Sequence, residues 1–307
     1  MNGCYSLVKI AFLVGFLCLF PTLLVAENQH PSRISYVDGT VAVAHEGNSE
    51  WELLERNFPI LEGDRILSER NSRVEIEFND ESVVRLGSRT GVILEKSSSK
   101  KVILQLLSGD LIVHKEGGTS FRIVSSVTTT DLKYEGVYRF NLSESGETTI
   151  RVRKGVAQTV QGAVRISIRK GDAWMVRTSG QPWTRFYGSA ERDWFDEWSD
   201  LRDALRHARS PSSSRPDSRY AGSRDLNRYG QWGYVSSYGR VWWPHEKAEW
   251  IPYQKGRWER IPSTAWYGLA MNPGVGCLTT MGAGCMFPVI RAGAGCPGVF
   301  IVGNRRW

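Results

Sequence analysis

Ser72-Arg73-Val74-Glu75-Ile76-Glu77-Phe78 places an apolar side chain at every second position with charges between. A period of two is what a strand with one buried face leaves in a sequence, whereas a helix spaces its apolar residues three and four apart. Outward from this stretch the same period marks Ile34 to Val37, Thr40 to Ala44, Ser82 to Leu86, Val92 to Glu95, Val102 to Leu107 and Leu111 to His114. It continues through Phe121 to Val124, Val137 to Leu142, Thr148 to Arg153, Val164 to Ile168 and Ala173 to Val176. No segment of helical period interrupts them, so 33–177 is expected to be one all-β domain.

A glycine stands just before an apolar run at Gly63-Asp64, Gly109-Asp110, Gly155-Val156 and Gly171-Asp172. Glycine supplies the positive φ that tight turns need, so each is expected to turn the chain into a strand. The result is short antiparallel hairpins wrapped into a sandwich, roll or solenoid. The charges of Arg73-Val-Glu75-Ile-Glu77 alternate in sign, the pattern of a solvated sheet face, and the domain's charged residues are read as surface or turn.

Leu61-Glu-Gly-Asp-Arg-Ile-Leu-Ser68, Ser72 to Phe78, Asp80-Glu-Ser-Val-Val-Arg-Leu86, Leu107-Ser-Gly-Asp-Leu-Ile-Val113 and Gly136-Val-Tyr-Arg-Phe140, in this order, resemble the FecR domain. The likeness spans nearly the whole β region. Ser68 stands where the family usually has Thr, and Asp80-Glu81-Ser82 replaces its Asp-Gly-Ser. Iron-signalling members join this domain to a membrane span and a cytoplasmic sigma-regulating segment, and neither is read in this chain. The resemblance therefore implies an extracytoplasmic FecR-like antiparallel β sandwich or roll, not a sigma regulator.

The first residues fit that compartment. Lys9 precedes an apolar run, Ile10 to Val25, broken only at Pro21 and followed by the small Ala26. This is the build of a secretory signal peptide over 1–26, with cleavage expected after Ala26 and a periplasmic or secreted product. An uncleaved membrane anchor is the alternative, but the run is shorter than the roughly 18 to 20 residues a span needs. Cys18 lies between Leu17 and Leu19, without the small residue that precedes an acylated cysteine. No cysteine occurs from Glu27 to Met271, so the β domain is expected to hold together without disulfides.

With 307 residues, 41% of them hydrophobic, the chain can bury an ordinary core. Its net charge of +7 comes from bases interleaved with acids. That balance is read first as solubility. For an exported protein, anionic cell-wall polymer or lipid headgroup is a better partner than nucleic acid, which is not expected, and an envelope protein or cell-wall glycan is the partner class left open.

From Ser189 the period turns helical. Trp194, Phe195, Trp198, Leu201 and Leu205 fall on one face, with acids near the start and Arg206, His207 and Arg209 near the end. One amphipathic helix is expected over 189–209, capped by Ser189 and packed by its aromatic stripe on the β domain. Ser210-Pro-Ser-Ser-Ser-Arg-Pro-Asp-Ser218 has no apolar anchor, and 210–227 is read as a linker.

The segment 228–267 is aromatic, with Trp232, Tyr234, Trp242, Trp243, Trp250, Tyr253 and Trp258 interleaved with Gly, Pro and Arg. Tyr229-Gly-Gln-Trp-Gly-Tyr-Val235 and Trp250-Ile-Pro-Tyr-Gln-Lys-Gly-Arg-Trp258 resemble a Trp-rich repeat domain of unknown function found after FecR-like domains. Short strands that stack rings on Pro and Arg would form a small core of their own. Alternatively, these seven residues stack on sugar faces, and they are the expected ligand site.

After Gly268 the aromatics give way to Ala, Gly, Cys and Met without period. If each codon's third base is read with the next two, Met271-Asn272 must give Glu, Met281-Gly282 must give Gly and Met286-Phe287 must give Val. The shifted frame then permits W-L-P-Y-H-Y-G-R-W-M-Y-V-P, which repeats the spacing of Trp250 to Pro262. The stretch 268–307 is therefore expected to be an out-of-frame, disordered tail, with Cys277, Cys285 and Cys296 as accidents of frame.

His30, His45, His114, His207 and His245 are scattered, and no HExxH, GxSxG or phosphate-binding glycine loop occurs. No enzyme, cofactor or metal is expected. The competing readings are an envelope binding or scaffold protein, cell-wall glycan binding through the aromatic repeat, and FecR-type signal sensing through a separate membrane partner.

Overall fold

The computed structural model describes residues 31–178, 183–186, 192–207, 221–222, 225, 230–236, 239–245, 256–261, 265–270, 280–281, 289–290 and 299–301. The leader 1–26, Ser189, Trp250, Tyr253 and most of 210–227 lie outside these residues.

The β domain runs β1 (Ser32–Asp38), β2 (Val41–Ala44), β3 (Glu52–Leu53), β4 (Pro59–Ile60), β5 (Arg65–Ser68), β6 (Arg73–Glu77), β7 (Val83–Leu86), β8 (Gly91–Ser97) and the long β9 (Lys101–Lys115). It continues with β10 (Ser120–Val124), β11 (Thr129–Leu132), β12 (Gly136–Leu142), β13 (Thr148–Lys154), β14 (Val156–Gln161), β15 (Val164–Arg169), β16 (Ala173–Val176) and β17 (Trp183–Phe186). One helix follows, α1 (Trp194–His207). Among the described residues no helix is long and apolar enough to cross a membrane.

These strands make two ladders that share β9. The first runs β4, β1, β6, β7, β9, β12, β13, β16, β17. The second runs β3, β2, β5, β8, β9, β10, β11, β14, β15. The described residues are mainly β, as expected, and all the strand pairs of this domain are antiparallel except β9 with β10, which run parallel.

The inward faces share one core. Ile34, Val74, Ile76, Leu111, Val113 and Phe140 of the first sheet lie in it with Val43, Ile66, Leu94, Leu104, Phe121 and Ile123 of the second. Each such side chain, fully withdrawn from water, stabilises the fold by about 1.5–3 kcal/mol.

Gly109 explains how one strand serves both sheets. The separate runs Val102 to Leu107 and Leu111 to His114 prove to be one strand, and Gly109 is a corner within it rather than a hairpin turn. Val102 to Ser108 pair with β8, and Gly109 to Lys115 pair with β12. Gly109 has φ +83, and a Cβ there would sit 2.4 Å from Thr90 Oγ1. Only glycine allows the chain to pass so close to the β7–β8 turn.

Beyond α1, β18 (Gly230–Val235) pairs with β19 (Gly239–Pro244), and β20 (Gly256–Ile261) pairs with β21 (Ala265–Ala270). In the stretch expected to be a disordered tail, β22 (Thr280–Met281) pairs with β21, while β23 (Val289–Ile290) pairs with β24 (Val299–Ile301). At those residues the backbone is extended and paired. Ala221 and Asp225, inside the expected linker, bond to the β domain: Ala221 N donates to Asn79 Oδ1 at 3.0 Å, and Asp225 Oδ2 accepts from Arg33 Nη2 at 2.9 Å.

Candidate functional site

The outer face of the first sheet carries its chemistry. Strand register places Tyr36 beside Glu75, Glu75 beside Arg85, Arg85 beside Ile112, Ile112 beside Arg139 and Arg139 beside Arg151. This row was expected to face water. Instead Glu75 and Arg85 are fully buried, and Arg139 is 6% exposed, because α1 lies across them.

The helix offers the row charge rather than grease. Asp196 Oδ2 accepts from Arg139 Nη1 at 2.7 Å and from Arg153 Nη2 at 2.5 Å. Asp203 Oδ1 accepts from Arg85 Nη2 at 2.6 Å, and its other oxygen lies 2.6 Å from His114 Nδ1. Ser199 Oγ accepts from Arg85 Nη1 at 2.6 Å, and Arg202 Nη2 donates to Glu75 Oε1 at 2.7 Å.

These bonds set the rotation of the helix. Of the stripe expected to pack on the sheet, only Phe195 and Trp198 do so, against Ile112, Tyr36 and Val137. Trp194, Leu201 and Leu205 are 52%, 58% and 42% exposed, while Asp196 and Ser199 are buried. An unpaired buried arginine costs far more than an exposed leucine, so the polar face wins the sheet. The cap also differs from the expected Ser189: Asp193 Oδ1 accepts from the Phe195 and Asp196 backbone N–H groups at 3.0 and 3.1 Å.

Burial works to raise the Glu75 carboxyl, but the Arg85 charge and the Arg202 hydrogen bond overcome it and hold the group well below the carboxylate range. Burial likewise opposes the charge on Arg139, and the bonds to Asp193 and Asp110 raise it above its ordinary value. Arg73 and Arg85 lie over the Trp198 ring at 5.2 and 5.9 Å, and Arg139 lies 5.5 Å over Phe195. The seam is thus a layered contact of guanidinium, carboxylate and ring, which specifies one docked orientation of α1.

The seven expected ligand residues belong to another part of the chain. Trp232 is the register partner of Trp242, Gln231 of Trp243, and Tyr234 of Arg240, on one hairpin. Tyr234 is 77% exposed. Trp258 pairs with Gly268 on the second hairpin. Trp250 and Tyr253 lie outside the described residues. Among the described residues no group of three or more His, Cys, Asp or Glu side chains is placed to hold a metal ion.

Residues 64–158 match the family described as FecR protein, and residues 223–276 match a family of unknown function, DUF6600. The chain thus carries one stretch that matches the FecR family and a second matched unit that begins two residues before Asp225. Two crystal structures of a "putative anti-sigma factor" from Parabacteroides distasonis ATCC 8503 are similar to it. One, at 2.50 Å, has 12% identity and a TM-score of 0.37 over 47% of this chain and 64% of that one. The other, at 1.65 Å, has 13% identity and a TM-score of 0.37 over 49% and 70%. The chain thus spans about two thirds of the length of those relatives. No curated protein matches the chain.

Proposed function

We propose that this chain is a non-enzymatic, extracytoplasmic binding or scaffold protein of the cell envelope. It is exported by residues 1–26, and cleavage follows Ala26. The two-sheet domain is the platform, and the aromatic hairpins make the outward contact. The observation that carries this reading is Tyr234, 77% exposed beside the Trp232–Trp242 register pair. A ring so exposed contributes nothing to a core and is suited to stacking on a sugar face. The ligand class proposed is cell-wall glycan, held by Trp232, Tyr234, Trp242, Trp243, Trp250, Tyr253 and Trp258. Pull-down on insoluble peptidoglycan tests it: Tyr234→Ala with Trp242→Ala should lose retention, and equal retention of wild type and variant rejects glycan binding.

The FecR match favours a second reading, signal sensing through a separate membrane partner. Crosslinking in intact cells that captures an inner-membrane regulator or an outer-membrane receptor supports it, and capture of cell-wall fragments alone rejects it. In either reading the tail beyond 268 is proposed to be translated in a shifted frame, which codons that forbid Trp and Tyr in the alternative frame would disprove.

A further inference from the structure

Among the described residues α1 covers the outer face of the first sheet, and no element covers the same face of the second. There, register sets Leu53 of β3 beside Ala42 of β2, Ala42 beside Leu67 of β5, Leu67 beside Gly91 of β8, and Gly91 beside Ser108 of β9. The β8–β9 register shifts at Gly91, and Leu107 faces outward beside it: a Cβ on Gly91 would meet Leu107 Cβ at 3.6 Å and Leu67 Cδ1 at 3.8 Å. Across these strands the row reads Leu53, Ala42, Leu67, Gly91, Leu107, large and small in turn, over about 19 Å at roughly 4.8 Å per strand.

Leu53, Leu67 and Leu107 are 67%, 39% and 48% exposed. The row itself carries no charge. Arg65, two residues before Leu67 on β5, is drawn toward the β3 edge, its guanidinium 5.5 Å over the Trp51 ring and bonded to the Asn48 carbonyl oxygen at 3.0 Å. The backbone at Gly91 is not left-handed, so no turn requires a glycine there. What its missing side chain leaves is a notch walled by Leu67 and Leu107. A lone exposed leucine needs no explanation, but a contiguous uncharged row of them marks a contact surface.

We propose that this row is the interface through which a second copy of the chain packs face to face on the second sheet. The alternation of large and small residues argues for that occupant, because it is complementary to its own reverse. A two-fold axis parallel to the strands, passing between Leu67 and Gly91, lays Leu67 of each copy on Gly91 of the other and Leu107 of each on Ala42 of the other. Each leucine then fills a notch instead of meeting a leucine, and close packing of this kind is what gives an apolar contact its specificity. The row is short against a standard interface of about 800 Å² per partner, so the dimer is weak and concentration-dependent. It leaves α1 and the aromatic hairpins free and does not depend on glycan binding.

Sedimentation velocity of the full chain, from about micromolar to about millimolar concentration, tests the proposal. A monomer–dimer equilibrium is expected. Leu67→Lys puts a charge near the axis from both copies and should weaken the dimer at least about tenfold. Gly91→Ala fills the notch in an ordinary backbone conformation and should weaken it by about threefold or more, which decides the matter if the lysine variant does not fold. Leu201→Lys, on the exposed face of α1, should leave the equilibrium unchanged. Far-UV circular dichroism identifies the folded variants. Monomer at every concentration, a dimer indifferent to both interface substitutions, or equal weakening by Leu201→Lys would overturn the proposal. So would flotation of a monomeric wild type with phospholipid vesicles that Leu67→Lys abolishes, since the row would then be a membrane contact.

Discussion

Glu75 on β6 and Arg85 on β7 are register partners, and Arg85 Nε donates to Glu75 Oε2 at 2.8 Å with neither side chain reaching solvent. The pair lies outside the apolar core, under α1, and fixes where the helix's own charges must fall. Removing one member leaves the other charge buried. We predict that Glu75→Leu and Arg85→Leu each destabilise the domain by about 3 kcal/mol, and that the double substitution costs less than the sum. Urea denaturation measures this, and single losses below about 1 kcal/mol would show that the seam does not need the pair.

Asp196 sits between two guanidiniums, Arg139 and Arg153, at 2% exposure. Asp196→Asn keeps its size and removes the charge that lets the two arginines approach one another. We predict that α1 detaches while the two sheets stay folded. Trypsin should then cut at Arg202 and Arg206 at least tenfold faster, and equal cleavage rates for variant and wild type would contradict this.

The seam should also fail in acid. In the folded chain the carboxyls of Asp193 and Asp203 lie at about 2. Burial acts to raise both, but hydrogen bonds from Arg139 to Asp193, and from His114 and Arg85 to Asp203, pull them down. The unfolded value is about 3.9. A carboxyl depressed in this way adds stability that is fully present above the unfolded value and is lost as pH falls through the folded one. Docking of α1 should therefore weaken between about pH 4 and pH 2. Asp203 dominates because Asp193 is half exposed and screened by water. Trp194 and Trp198 emission should move to the red over that range, whereas a spectrum flat to pH 2 would refute the account.

The strands were legible because one face of each sheet is apolar and the period of two survives turns and bulges. Two-residue strands such as Glu52–Leu53 carry no period, and Thr129–Leu132 has too little apolar content to show one. The charged row was misread for a different reason. Arg73-Val-Glu75-Ile-Glu77 looks the same whether water or a helix covers it, and the distinction lies 120 residues away in Asp196, Ser199 and Asp203. Those residues recur at spacings of three and four along α1, a polar stripe as regular as the apolar one, which was the available signal. The aromatic residues were recognisable as a group, but their pairing, such as Trp232 with Trp242, depends on hairpin register.

Gly109 tests the corner itself. Its φ of +83 costs an alanine about 1 kcal/mol or more, and the new Cβ would meet Thr90 Oγ1 at 2.4 Å and the Arg89 carbonyl oxygen at 2.7 Å. Thr90 cannot simply turn away: its hydroxyl donates to the Asp110 carbonyl oxygen at 3.1 Å and accepts from the Asp110 N–H at 2.9 Å. Gly109→Ala should therefore lower stability by about 2–3 kcal/mol, more than the backbone conformation alone explains. Thr90→Ala in the same chain removes the nearest clash and should recover part of that loss. Urea midpoints of the single and double variants decide the matter. A Gly109→Ala protein as stable as the parent would mean that β9 can cross between its sheets by another path.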